Sequence, residues 1–352
     1  MANKIYAKIK NYIKENYWFI ISILLIIIFC NYDTEYSIYK PGGVINMDDR
    51  VTSEYKSEGS FNMAYVGYLR GILPLYLVGK VNPNWEVVKN TDLKEDNETI
   101  DDANERDHLY YFAAMQSAKI TAYEYSNTPY KISKLHFYVS ALTEENKSEL
   151  KVGDEILSYD NIKMTDFDEF CDYIRSKKEN DKITVEYLRD GDTKKTVILL
   201  YKDEDITYSG IALIIGKDIE SDKDVSIKTK DSESGPSGGL IMALSIYDAL
   251  TKEDITYGMK IVGTGTIDED GNVGPIGGVT YKLGAAVKAK ADVFICPSEN
   301  YDEAIEYAKK MKYKIPIRKV DTFEEALNVL KEEGEKHVTN WSRCNGKCFK
   351  KN

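Results

Sequence analysis

The hydrophobic pattern changes character three times along the chain. From Trp18 to Cys30, "WFIISILLIIIFC" is an uncharged apolar run with no polar face, bracketed by Tyr17 and Tyr32. A soluble helix of that length normally shows a polar stripe. Lys4, Lys8, Lys10 and Lys14 precede it in a helix-compatible register, and positive charge is retained on the cytoplasmic side. The pattern predicts a basic segment over 1–16 and a transmembrane helix over 17–32: a single-pass anchor in the cell membrane, N-terminus cytoplasmic, with the rest of the chain extracytoplasmic. The apolar core is short for a span, so tilt or snorkelling has to cover the difference. "FCNYDTEY" is bulky and acidic, which argues against signal cleavage.

Behind the anchor, "YSIYKPGGVINMDDRV" and "GSFNMAYVGYL" alternate as short strands. A polar stretch then leads into "LYYFAAMQSAKITAYEYSN", where Leu109, Phe112, Ala113, Met115, Ala118 and Ile120 roughly follow helical spacing. From about Pro129 the pattern turns to short strands around one helix, "DFDEFCDYIRS", with Asp190-Gly191 between two alternating runs as a hairpin signal. The last third alternates strand and helix. It ends with Thr322 and Glu325 as a capping box, and predicts an α/β domain.

Composition narrows the function. The chain has 352 residues, 43% hydrophobic and 30% charged, with a formal net charge of −11. It offers no basic field for a phosphate backbone and no GxxxxGK[ST] stretch, so neither nucleic acid nor nucleotide is an expected partner. Cys30, Cys171, Cys296, Cys344 and Cys348 are too scattered for a disulfide framework. Only the "CNGKC" pair is close enough for a local disulfide. It has no histidine beside it to complete a metal site, and no metal or other cofactor is expected.

The chemistry gathers in "DSESGPSGGLIMALSIY". Leu240, Ala243, Leu244, Tyr247 and Leu250 define a buried helix face, so the helix begins near Pro236 or Ser237. Ser237 then stands where unpaired N–H groups and the helix dipole can receive an oxyanion, and Gly235, Gly238 and Gly239 clear room for a substrate backbone. A phosphate-binding turn or a plain N-cap would use the same features. A nucleophilic serine needs a base. None of His108, His136 and His337 has the context of a triad, whereas Lys282 follows a Gly-Gly turn amid Val279, Leu283, Ala285 and Ala286. Apolar surroundings disfavour the charged form and lower a lysine's pKa, as a general base near neutrality requires.

Together, "GPSGG" and "GTGTIDEDGNVGPIGGVTYKLGAA" resemble the catalytic segments of Lon-type serine peptidases, and "LKVGDEIL" within the strand, strand, helix, hairpin order resembles bacterial PDZ domains. With the anchor, the chain resembles membrane-anchored, ATP-independent Lon-like PDZ peptidases. The resemblance implies an α/β Lon-type proteolytic domain with an inserted PDZ-like (α+β) domain and one N-terminal transmembrane helix. The N-terminal part of the peptidase domain would be 33–126, the PDZ-like domain 127–202, the catalytic part 203–335 and a tail 336–352.

The resemblance also implies a serine endopeptidase acting through a Ser-Lys dyad, Ser237 with Lys282, supported by Thr264, with backbone N–H groups of Ser237 and Gly238 as the oxyanion hole. Gly238 replaces the family's usual alanine, and Ser234 stands where ATP-dependent relatives carry an acid that Glu233 or Asp231 could replace. Exported peptides or membrane-protein segments at the outer membrane face would be the substrates. In the PDZ-like region an extended peptide would add beside "HFYVSA", against Phe137, Val139, Phe167 and Ile174. The alternative is a catalytically silent PDZ scaffold that binds peptides at the membrane surface.

Overall fold

The computed structural model describes residues 2–52, 55, 57–94 and 98–348. Side chains of 340–348 are outside that description, so the Cys344 and Cys348 pairing lies beyond the described residues. Cys30, Cys171 and Cys296 are free thiols.

The chain divides into two compact units, Met1–Pro41 with Gly67–Leu93, and Gly42–Val66 with Lys94–Asn352. The strands Asp33–Asn46 and Ser60–Ile72 each contribute residues to both. The stretch 33–126, expected as one part of the peptidase domain, is thus shared between the units. Alternation along a strand marks its faces, not the point where its neighbours change.

In the smaller unit, the helices Ala2–Glu15 and Tyr17–Asn31 are separated only by Asn16. The i to i−4 bonds run on through it: Asn16 N–H donates to Tyr12 O and Ile20 N–H to Asn16 O. No residue of Tyr17–Asn31 is buried. Among the described residues no helix is long and apolar enough to cross a membrane. The apolar helix has 15 residues, a rise of about 22 Å, against a hydrocarbon core of about 30 Å.

The larger unit holds the α/β core. The strands Ile317–Val320, Val293–Pro297, Lys260–Gly263 and the first part of Ser60–Ile72 lie side by side in that order, all parallel, with Gly263 opposite Met63. The helix Ile100–Tyr125, here the spine helix, opens on a capping box in which Thr99 and Asp102 bond each other's main-chain N–H groups. It buries Leu109, Tyr111, Ala114 and Ala118, leaving Phe112 38% exposed. Of the predicted stripe, Leu109, Ala118 and Ile120 are buried, whereas Phe112, Ala113 and Met115 are not, and Tyr111 and Ala114 take their place in the core. The helix Gly239–Leu250, the serine helix, is buried almost all round rather than on one face. The spine helix and the strands pack it from several sides, and Gly238 and Gly239 allow that approach.

The strands of the segment expected to be PDZ-like form a sheet in the order Ile211–Glu220, Lys131–Leu142, Glu155–Tyr159, Lys182–Arg189, Asp192–Leu199, whose first strand lies beyond the expected boundary at 202. The helix Phe167–Arg175 covers their core. Asp190 and Gly191 both have φ above +50°, the conformation a two-residue hairpin of matching twist requires.

Candidate active site

Ser237 lies in a 3-10 turn, Pro236–Gly238, that runs into the serine helix. Gly235 precedes it at φ 79°, a conformation that excludes most side chains. Ser237 is half-buried. Its carbonyl accepts from Gly265 N–H and from Thr264 Oγ1, both at 2.8 Å. Leu240 N–H returns a bond to Gly265 O at 3.0 Å. The serine turn is therefore tied to the two residues just beyond the strand Lys260–Gly263, at the C-terminal ends of the parallel strands, where α/β folds commonly place their chemistry.

Thr264 is fully buried. Its hydroxyl donates to Ser237 O and accepts from Lys282 Nζ at 3.0 Å. Lys282 lies in the first turn of the helix Val279–Lys288 and is 3% exposed. Gly278, left-handed at φ 68°, starts that helix, and a Cβ there would come 2.9 Å from Val66 Cγ2. The turn before it is clamped by Asn300, whose side chain accepts from Ile276 N–H and donates to Ile276 O, both at 2.9 Å. Burial lowers the Lys282 pKa from 10.5 to about 7. Near neutrality a substantial fraction of this amine is therefore uncharged, with a lone pair to accept a proton. Lys282 Nζ, Thr264 Oγ1 and the main-chain carbonyl of Ser237 thus lie along one hydrogen-bond chain.

Gly238 is buried beneath Met63: a Cβ at this position would sit 1.9 Å from Met63 Sδ. Met63 fills the space that an alanine methyl would need, which accounts for glycine here.

Glu233 and Asp231 were the acids expected to stand in for the one missing at Ser234. Asp231 is exposed. Glu233 pairs with Arg50, Nη2 to Oε1 at 2.6 Å, and accepts from the Tyr111 hydroxyl at 3.0 Å and Lys230 N–H at 3.1 Å. Arg50 Nη1 also donates to Lys228 O at 2.7 Å, and Gly235 N–H to Asp107 O at 2.9 Å. Glu233 thus fastens the loop leading to Ser237. Arg50, Tyr111 and Asn300 were not legible as site residues, because their partners are distant in sequence.

The strand expected to receive a peptide is not an edge of its sheet. The strand Lys131–Leu142 is interior, paired on one side with Ile211–Glu220 and on the other with Glu155–Tyr159. The place beside "HFYVSA" expected for a peptide is taken by the chain's own strand Ile211–Glu220. Phe137, Val139 and Ile174 are 1, 0 and 3% exposed and belong, with the half-buried Phe167, to one apolar core. Among the described strands, Ile211–Glu220 is the edge on this side of the sheet. Its Ile211, Leu213 and Ile215 pack against the same core. Alternating hydrophobicity identifies a core-facing strand and says nothing of whether it lies at an edge.

Comparison with known proteins matches two segments of the chain to known families. Residues 213–332 match the Lon protease (S16) C-terminal proteolytic domain, and residues 138–200 match the PDZ domain family. The first match contains Ser237, Thr264 and Lys282. The chain is 32% identical over 124 residues to the archaeal Lon protease of Archaeoglobus fulgidus, covering 34% of this chain and 19% of that one. It is 34% identical over 101 residues to the Lon protease of Trichlorobacter lovleyi (29% and 12%), and 36% identical over 96 residues to that of Campylobacter concisus (27% and 12%). The chain thus spans at most about a fifth of the length of these relatives. Among solved structures it is similar to the PDZ domain of the SdrC-like protein of Listeria monocytogenes, at 26% identity and TM-score 0.22, covering 24% of this chain and 93% of that one. The chain carries a Lon-type serine peptidase domain and a PDZ domain.

Proposed function

We propose that the protein is a membrane-attached serine endopeptidase working without ATP on peptides or membrane-protein segments at the extracytoplasmic face. The observation that carries the catalytic part is the buried chain from Lys282 Nζ through Thr264 Oγ1 to the Ser237 carbonyl, with burial bringing the lysine to about pKa 7. Thr264 takes one N–H of the neutral amine and turns its lone pair toward the serine. Lys282 accepts the Ser237 Oγ proton as the oxygen attacks the substrate carbonyl carbon. Backbone N–H groups of Ser237 and Gly238 hold the oxyanion. Collapse breaks the C–N bond, and the leaving amine takes the proton from Lys282. Water, deprotonated by Lys282, then attacks the acyl carbonyl carbon, and Lys282 returns that proton to Ser237 Oγ as the ester C–O bond breaks.

Attachment is through residues 17–32, supported by an apolar helix none of whose residues the protein buries. Working without ATP follows the likeness to ATP-independent Lon-like PDZ peptidases carried by "GPSGG" and "LKVGDEIL". The PDZ domain would take an extended segment along the free edge of Ile211–Glu220. The test is cleavage of unstructured peptides by the purified chain: Ser237→Ala and Lys282→Ala are expected to abolish it while preserving the melting temperature to within a few degrees or raising it. Cleavage by Ser237→Ala at the parent rate would end this assignment.

A further inference from the structure

The smaller unit has an apolar surface that peptidase chemistry leaves unused. The helix Leu73–Val81 buries only Gly79, while Leu77, Val78 and Val81 are 49, 44 and 81% exposed. A Cβ at position 79 would come 2.7 Å from Val87 Cγ2. The glycine therefore lets the helix lie close on the strand Glu86–Lys89 and turns its larger side chains outward.

This helix begins where the apolar one ends. Leu73 N–H donates to Tyr32 O at 2.8 Å, and the helices Tyr17–Asn31 and Leu73–Val81 touch. Aromatic rings and lysines fringe the same region. Lys80 Nζ lies 5.5 Å from the ring centres of both Tyr36 and Tyr76, and Lys40 Nζ lies 5.8 Å from that of Trp85. Lys80, Val81 and Trp85 line an open cavity of about 410 Å³. Across 32–41 and 67–93, Lys40, Arg70, Lys80 and Lys89 balance Asp33, Glu35, Glu86 and Asp92, within a chain that is otherwise strongly acidic.

We propose that Leu73–Val81 lies in the boundary between headgroups and acyl chains of a lipid bilayer, as a second lipid contact beside Tyr17–Asn31. The inference rests on the membrane reading of that apolar helix. A rise of about 22 Å leaves the apolar helix short of the hydrocarbon thickness, which draws the segment attached to its end down to the boundary. That layer favours what the surface offers: tyrosine and tryptophan rings, lysines that extend to the phosphates, and a short apolar helix lying flat. A neutral patch continuous with an exposed apolar helix suits lipid better than a shaped protein partner.

The tryptophans Trp18, Trp85 and Trp341 allow the test on the full chain. One variant, Trp18→Phe with Trp341→Phe, keeps Trp85 as reporter; the other, Trp85→Phe with Trp341→Phe, keeps Trp18. In phosphatidylcholine–phosphatidylglycerol vesicles brominated high on the acyl chain, Trp85 emission is expected to fall at least about twofold relative to unbrominated vesicles, as contact depth implies. Adding Val81→Asp should remove most of that quenching. Quenched Trp18 with unquenched Trp85 overturns the inference and leaves the anchor standing, while failure of both reporters overturns both. Quenching that survives Val81→Asp, or a Trp85 blue shift without bromine quenching, the mark of a second copy or another protein, also overturns it.

Discussion

At the scale of single residues, the burial that would fit Lys282 to act as a base is also a liability for the fold. Its pKa is lowered from 10.5 to about 7, and burial is the cause. Below pH 7 the lysine is protonated in both folded and unfolded chains, so the folded state bears the full burden of a buried charge. Between about 7 and 10.5 the unfolded chain binds a proton that the folded one does not, and stability rises with pH through that window by up to about 1.4 kcal/mol per unit. Lys282→Met removes the titrating group while keeping an apolar side chain of similar length. It should abolish cleavage yet stabilise the protein, by a few kcal/mol (about 2–5) at pH 6 and by less at pH 9. Denaturant unfolding at the two pH values measures this, and an equal gain at both would mean that another group titrates. The parent's cleavage rate should rise about tenfold per pH unit below 7 and level off above it.

At the scale of elements, the loop into Ser237 is held as tightly as the serine itself. Arg50 and Glu233, 13 and 12% exposed, pair at 2.6 Å across 183 positions of sequence, and Tyr111 and the Asp107 carbonyl add their bonds from the spine helix. None of these groups needs to touch substrate, so their loss should displace the nucleophile without weakening binding. Glu233→Gln is expected to lower kcat about ten- to hundredfold with KM nearly unchanged. Tyr111→Phe, which removes one neutral donor, should lower it less. A fall in melting temperature with kcat intact would make the network purely structural. The contrast with what the sequence disclosed is instructive. The Asp190-Gly191 hairpin, the serine turn and the lysine helix were legible because their signals are local: positive φ, a cap, an apolar spacing. The Arg50 pair and the Asn300 clamp were not, because long-range partners leave no period in the sequence. The edge was expected at the wrong strand for a related reason, since edge or interior position is fixed by the order in which strands pair.

At the scale of the whole molecule, the free edge of the PDZ sheet and the nucleophile belong to one continuous stretch of chain. The strand Ile211–Glu220 has its later part fastened to the spine helix by Gln116, which donates to Lys217 O at 2.8 Å and accepts from Lys217 N–H at 2.9 Å. A peptide paired along the earlier part would therefore be held by an element anchored to the helix that also fastens the serine loop. Docking of this kind engages ground state and transition state alike. A substrate with an extended apolar docking segment should show a KM lower by about tenfold or more than its truncated counterpart, with kcat little changed. Hydrogen exchange on the full chain carrying Ser237→Ala locates the docking. The expected result is peptide-dependent protection of amides within 211–216 and no change within 136–141, whose strand is already paired on both sides. Protection confined to 136–141 would mean that a peptide displaces the chain's own strand. The edge strand would then be a removable plug, and substrate entry would require opening the connection to the serine loop, a step that should lower kcat rather than KM.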